Sequence, residues 1–351
     1  MSDPIGEISS SLMKLYSGCG YDLYKMSRFE EYGLYAENKA FLPSSGIITF
    51  TDTDGRLMAL KPDVTLSIVK NRRGGENKLY YNESVFRTVN GAFAEISQTG
   101  LEYIGRADPV RLSEVLFLAQ QSLEIISADN ALDVSDLRFI SMALDRAGIT
   151  GEPRSALLRF ISEKNGHDAS LLCTRLGVPD IDKERILTLI GTACPPEQAY
   201  ERLRGVYDDG EWQKTVSEFF YVISGCDASK LFVDLSVIND TGYYNGIVFR
   251  GYVNGVSSAV LSGGQYDNLL KRMNKPGSAA GFAVYLDRLS ELSGKAAGRR
   301  CDVLILYDGN TEPQKLCEKI KEIISRGGTV SVSAEIPADT EYKSVCDMRR
   351  I

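Results

Sequence analysis

Glu95-Ile96-Ser97-Gln98-Thr99-Gly100-Leu101-Glu102-Tyr103-Ile104-Gly105 reads as a strand over residues 97–104. In an extended chain Gln98 and Glu102 are four apart and share a face, with Gly100 between them leaving room above the backbone. A face offering an amide, a gap and a carboxylate packs poorly as core and suits an amine ligand. The same residues would equally suit a solvated sheet face. Upstream, residues 78–81 and 84–89 read as strands, the second carrying Phe86-Arg87. Before them, 47–51 and 57–60 flank Asp52-Thr53-Asp54-Gly55, a tight Asp-Gly hairpin signal. Leu60-Lys61-Pro62-Asp63-Val64-Thr65 then turns a strand end into a helix over 64–73. Asp63 and Thr65 stand where a helix start presents free N–H groups, the position of ordinary caps as well as of ligand-binding groups. Helical spacing over 6–17 and 110–127 completes an α+β pattern, an antiparallel sheet flanked by helices.

Further out, residues 137–230 are helical, with turns at 148–153, 165–168, 177–180, 193–196 and 208–210. Strand signals return at 231–237, 246–253 and 256–261, so the helical block reads as an insertion into one domain. Ser262-Gly263-Gly264-Gln265-Tyr266-Asp267 reads as a glycine turn entering a helix. A linker at 294–298 divides a domain of residues 1–298 from a short β-α-β unit at 299–351.

Composition narrows the chemistry. The chain has 351 residues and one histidine, His167, beside 47 Asp+Glu and 40 Lys+Arg, for a net charge of −7. One imidazole supplies neither a two-histidine zinc site nor a zinc-protease helix, and no metal site is expected. His167 sits in the polar turn Glu163–Asp168 and reads as a solvated loop residue. The acidic balance and short basic clusters disfavour sequence-independent nucleic-acid binding. Seven scattered cysteines without a C-x-x-C pair fit a reducing compartment. No signal pattern opens the sequence and no apolar run approaches a membrane span, so a soluble cytoplasmic protein is expected.

The motifs taken in order are Leu60-Lys-Pro-Asp-Val-Thr65, Phe86-Arg87, Gln98-x-Gly-x-Glu102-x-Ile-Gly105, Tyr243-Tyr244-Asn-Gly-x-Val-Phe249, Gly263-Gly-x-Tyr-Asp267 and Gly281-Phe-Ala-x-x-x-Asp-Arg288. Together they resemble the histidyl-tRNA synthetase core, a class II synthetase-like antiparallel sheet with a helical insertion, over residues 5–295. The resemblance implies that Asp63, Thr65 and Gln98 hold the α-ammonium of histidine. It implies that Glu102 with Tyr243 or Tyr244 holds the imidazole, and that Arg87 and Arg288 are remnants of a nucleotide site.

Departures from that pattern sort the possible functions. Where the synthetases carry Arg-Gly-x-Asp-Tyr-Tyr, this chain has Asn239-Asp240-Thr241-Gly242-Tyr243-Tyr244, and losing one charge-stabilising donor typically costs on the order of 100- to 1,000-fold in rate. Their Arg-Glu-Phe-x-Gln becomes Ala94-Glu95-Ile96-Ser97-Gln98, and Tyr285 replaces a small residue ahead of Asp287-Arg288. The tail from 299 resembles only the start of an anticodon-binding domain. These departures fit the branch that looks like a synthetase core yet serves as the regulatory subunit of ATP phosphoribosyltransferase. That branch implies histidine as effector, no cofactor, a homodimer within a hetero-oligomer, and a short-form ATP phosphoribosyltransferase catalytic subunit as partner. The alternative is a divergent histidyl-tRNA synthetase.

Overall fold

The computed structural model describes residues 4–38, 46–72, 74–89, 91–238, 244–292, 299–337 and 340–349. They divide into two compact units, Ile8–Leu289 and Ser290–Ile351 with Met1–Glu7.

The larger unit is built on a nine-stranded sheet. Helix α1 (Pro4–Gly18) is followed by the short strands β1 (Asp22–Leu23) and β2 (Phe29–Glu31) and by helix α2 (Tyr32–Glu37), none of which the sequence pattern announced. Strands β3 (Thr49–Thr51) and β4 (Leu57–Leu60) form the expected hairpin. Gly55 takes φ +82° in its turn, and the Asp52 carboxylate accepts the N–H groups of Asp54 and Arg56. Helix α3 (Val64–Asn71) leads to β5 (Asn77–Val89) and β6 (Ala92–Gly105). These two pair continuously from Asn77–Ile104 to Val89–Ala92, so the separate strands expected at 78–81 and 84–89 are one. After α4 (Pro109–Ile126), β7 (Asn130–Asp136) is a strand that sequence patterning missed, because only Leu132 and Val134 alternate toward the core.

Six helices follow, with ends close to the turn signals: α5 (Leu137–Arg146), α6 (Gly151–Ser162), α7 (Gly166–Arg175), α8 (Asp180–Ile190), α9 (Pro196–Arg204) and α10 (Gly210–Ile223). The two-residue strand β8 (Ala193–Cys194) interrupts them. Aromatic packing knits them, with Phe139 5.2 Å from Trp212 and 5.5 Å from Phe219 between ring centroids. His167 lies exposed in the first turn of α7. The helices carry the chain from β7 to its parallel neighbour β9 (Leu231–Asp234), and a parallel pair requires such a crossover.

The expected strand at 256–261 and turn at 262–267 need correction. The chain turns at Gly255, φ +87°, and β10 (Ile247–Val253) is followed by β11 (Leu261–Gln265), so the glycines lie inside a central strand. Crowding requires them. A Cβ on Gly263 would lie 2.4 Å from both the Gly281 carbonyl oxygen and Phe282 Cβ, and one on Gly264 would lie 2.6 Å from the Ile247 oxygen. Gly263→Ala is expected to destabilise the protein by about 2 kcal/mol, read as a lowered denaturant midpoint. A midpoint within error of the wild type would mean the strands have slack that the geometry denies.

Helix α11 (Asp267–Arg272) and strand β12 (Ser278–Tyr285) complete the sheet, in the order β1-β5-β6-β12-β11-β10-β7-β9-β8. In the smaller unit β13 (Arg299–Leu306), β14 (Val330–Ser333) and β15 (Thr340–Asp347) form a parallel sheet with β13 central, and α12 (Pro313–Ser325) links β13 to β14. Ile305, Ile323 and Met348 form one buried cluster there, and Cys301, Leu304 and Leu306 a second. No helix among the described residues is long and apolar enough to cross a membrane.

Candidate functional site

The site grows from the start of α3. Asp63 is its N-cap, in extended conformation, and its carboxylate accepts the Leu66 N–H at 2.8 Å. Thr65, in the first turn, does not cap: its hydroxyl donates to Glu102 Oε1 at 2.7 Å. The other oxygen of Glu102 accepts from the Tyr266 hydroxyl at 2.6 Å. Glu102 is therefore a carboxylate 2% exposed whose hydrogen-bonding partners are neutral hydroxyls. Burial is the largest influence and pushes its pKa up to about 8; the two hydroxyls oppose the shift and the charge of Asp63 adds to it. Burial also raises Asp63, against the pull of the Arg87 guanidinium and of backbone N–H groups. Arg87 reaches from β5 to donate to the Pro62 carbonyl at 2.7 Å, with its other end 4.0 Å from the Asp63 carboxylate.

Between these groups lies a cavity of about 240 Å³, at the small end for a ligand pocket. Gln98 and Glu102 face it from β6, as alternation requires. Gln98 is 5% exposed, and its amide makes no hydrogen bond with any described residue. The amide lines the cavity, where a ligand or water can bond it. The room that Gly100 leaves is not open: Tyr81, opposite it on β5, fills the space, and a Cβ there would lie 2.6 Å from the Tyr81 hydroxyl. Gly281 on β12 faces Glu102, and a Cβ on it would lie 1.9 Å from Glu102 Oε2.

Tyr244 and Tyr266 supply aromatic wall. Asn245 and Asp267 clip their segments together: the Asn245 amide donates to the Asp267 carboxylate at 3.2 Å, and the Asp267 N–H donates to the Asn245 oxygen at 2.7 Å. Asp267 also accepts the Ala279 N–H at 3.0 Å, tying the clip to β12. Burial keeps the Tyr81 and Tyr244 phenols neutral, raising both well above their ordinary value.

The structure thus gathers Asp63, Thr65, Arg87, Gln98, Glu102 and Tyr244 around one cavity. Tyr243 and Asn239 lie outside the described residues. Arg288 does not line the cavity; its guanidinium donates to the Ala259 carbonyl and lies 4.2 Å from the centre of the Tyr285 ring. Sequence reasoning missed Tyr81 and Tyr266. Tyr266 stood in a motif misread as a turn, and Tyr81 becomes visible only once the β5–β6 register sets it opposite Gly100. Two carboxylates against one guanidinium, with a cavity-facing amide and phenol walls, can hold a small ligand with separated N–H donors and one carboxylate.

The ATP phosphoribosyltransferase regulatory subunit of Oceanobacillus iheyensis is 25% identical over 310 residues, 85% of this chain and 76% of that protein. A solved structure from Bacillus halodurans C, described as an ATP phosphoribosyltransferase regulatory subunit/histidyl-tRNA synthetase, matches with TM-score 0.79 and 24% identity, covering 98% of this chain and 94% of that one. A chain of the ATP phosphoribosyl transferase complex from Thermotoga maritima matches with TM-score 0.63 and 18% identity, covering 80% of this chain and 97% of its own. The family model for histidyl-tRNA synthetase matches residues 2–289, a span that holds the whole nine-stranded sheet and every residue of the cavity. The chain belongs to the histidyl-tRNA synthetase family.

Proposed function

We propose that this chain is the non-catalytic regulatory subunit of an ATP phosphoribosyltransferase, acting in histidine biosynthesis. It binds histidine in the cavity and passes occupancy to a short-form catalytic subunit, activating it when empty and inhibiting it when full. The complex is a cytoplasmic hetero-oligomer containing a homodimer of this chain. Bound histidine sets its α-ammonium against Asp63 and the Gln98 oxygen, its ring N–H toward Glu102, and its carboxylate toward Arg87. The observation that carries the reading is a contrast. Amino-acid-binding groups converge on the cavity, whereas Arg288 is engaged with Ala259 and Tyr285, and Asn239 stands where the resembled synthetases carry arginine.

Arg87, which does face the cavity, favours the second reading, a divergent synthetase. Two measurements separate them. Purified protein is expected to show no histidine-dependent exchange of pyrophosphate into ATP. Co-expression with a short-form catalytic subunit is expected to give a copurifying complex whose phosphoribosyl transfer falls on adding histidine. Exchange at synthetase-like rates, or failure to copurify and to confer histidine sensitivity, would overturn the regulatory reading.

A further inference from the structure

We propose that Tyr285 is a steric filter: the cavity admits a free amino acid and refuses one extended at its carboxyl group. The proposal rests on the amino-acid-pocket reading above. On β12, residues 281, 283 and 285 point to the cavity face, opposite Glu102, Gly100 and Gln98 of β6. Those residues are Gly281, Ala283 and Tyr285, so the floor is low at the Glu102 end and rises to a full aromatic ring at the Gln98 end. The two ends are four residues apart, roughly 13 Å along a strand.

The ring is braced. The Arg288 guanidinium stacks 4.2 Å from its centre and is itself anchored on the Ala259 carbonyl, so Tyr285 cannot fall back without disturbing both contacts. Across the cavity stands Arg87, whose guanidinium lies 4.0 Å from Asp63. A ligand with its ring at Glu102 and its ammonium between Asp63 and Gln98 leaves its carboxylate at the Tyr285 end, with Arg87 as the nearest cation. A substituent on that carboxylate would compete for the volume that the Tyr285 ring holds. Histidine fits within the floor, and an acyl-nucleotide does not.

The test titrates the full-length protein calorimetrically with L-histidine and with adenosine 5′-N-(L-histidyl)sulfamate, which keeps a negative charge beside the carbonyl. The wild type is expected to prefer histidine by about tenfold or more. Tyr285→Ala is expected to shrink that preference by about tenfold, and Tyr285→Phe, which keeps the ring, to preserve it. Absence of histidine binding to the wild type overturns the pocket reading beneath the proposal. Histidine binding accompanied by equally tight sulfamate binding, or a preference unmoved by Tyr285→Ala, overturns the filter alone. The wild-type comparison can do so even if Tyr285→Ala does not fold.

Discussion

Glu102→Gln is expected to weaken histidine binding by on the order of 100-fold: the empty site holds Glu102 protonated, a cationic imidazole ring displaces that proton and pairs with the carboxylate, and glutamine keeps the shape without being able to take up the charge. Truncating one partner of a buried, hydrogen-bonded charge pair costs about 2–5 kcal/mol, and each 1.4 kcal/mol is tenfold. The same substitution should change how stability responds to pH. The folded-state pKa of Glu102, about 8, lies above its ordinary value of 4.5, so the empty folded protein binds a proton that the unfolded chain releases. Stability from this group is therefore fully present below pH 4.5, is lost as pH rises, and is gone above about 8. The swing is at most about 5 kcal/mol at 1.36 kcal/mol per pKa unit. Glu102→Gln has no proton to lose, so its melting temperature should gain on the wild type between pH 5 and pH 8. Calorimetry with histidine and thermal melts across that range check both halves. Unchanged histidine affinity would remove Glu102 from the ligand site, and parallel melting curves would mean the carboxylate is not held protonated by its burial.

Glu83→Ala should destabilise the larger unit by about 3 kcal/mol, toward the low end of the 3–5 kcal/mol range for breaking a buried ion pair. Lys61 is wholly buried, and its ammonium donates to Glu83 at 2.7 Å. Glu83 is partly exposed, which lets water offset some of the loss and sets the estimate low. Lys61 also bonds through its backbone to Arg28 and Phe86, and it stands two residues before Asp63. Freeing it should therefore loosen the start of α3 and weaken histidine binding as well. The double variant Lys61→Met/Glu83→Leu should recover most of the stability, since an apolar pair of similar size has no charge to desolvate. Urea denaturation of the two variants decides the matter. A loss under about 1 kcal/mol for Glu83→Ala, or a double variant no better than the single, would show that this pair does not hold the segment.

Much of this architecture is legible in one sequence where local chemistry determines it. Pro62 and Asp63 mark the start of α3, and glycines in the left-handed region, Gly148 at φ +69° and Gly177 at φ +71°, mark chain reversals between helices. Gln98 and Glu102 share a face because strand alternation leaves no choice. What stayed hidden depends on partners far along the chain. Strand β7 has little apolar alternation of its own and becomes a strand by pairing with β10 and β9. Strand β11 looks like a turn because its glycines answer to crowding from β10 and β12, which no local pattern records. Tyr266 acquires its role from a carboxylate 164 residues away in the sequence.

The glycines beneath the cavity restrict how such a protein can diverge. At Gly100, Gly264 and Gly281 any added Cβ runs into backbone oxygen, so these three points of the sheet are main chain that a point mutation cannot rewrite without moving a strand. Revision is left to the side chains around them, at positions such as Asp63, Gln98 and Tyr285. A lineage built on this sheet can thus exchange one occupation for another by a few substitutions around the edge, while inheriting the depth and outline of the vessel unchanged.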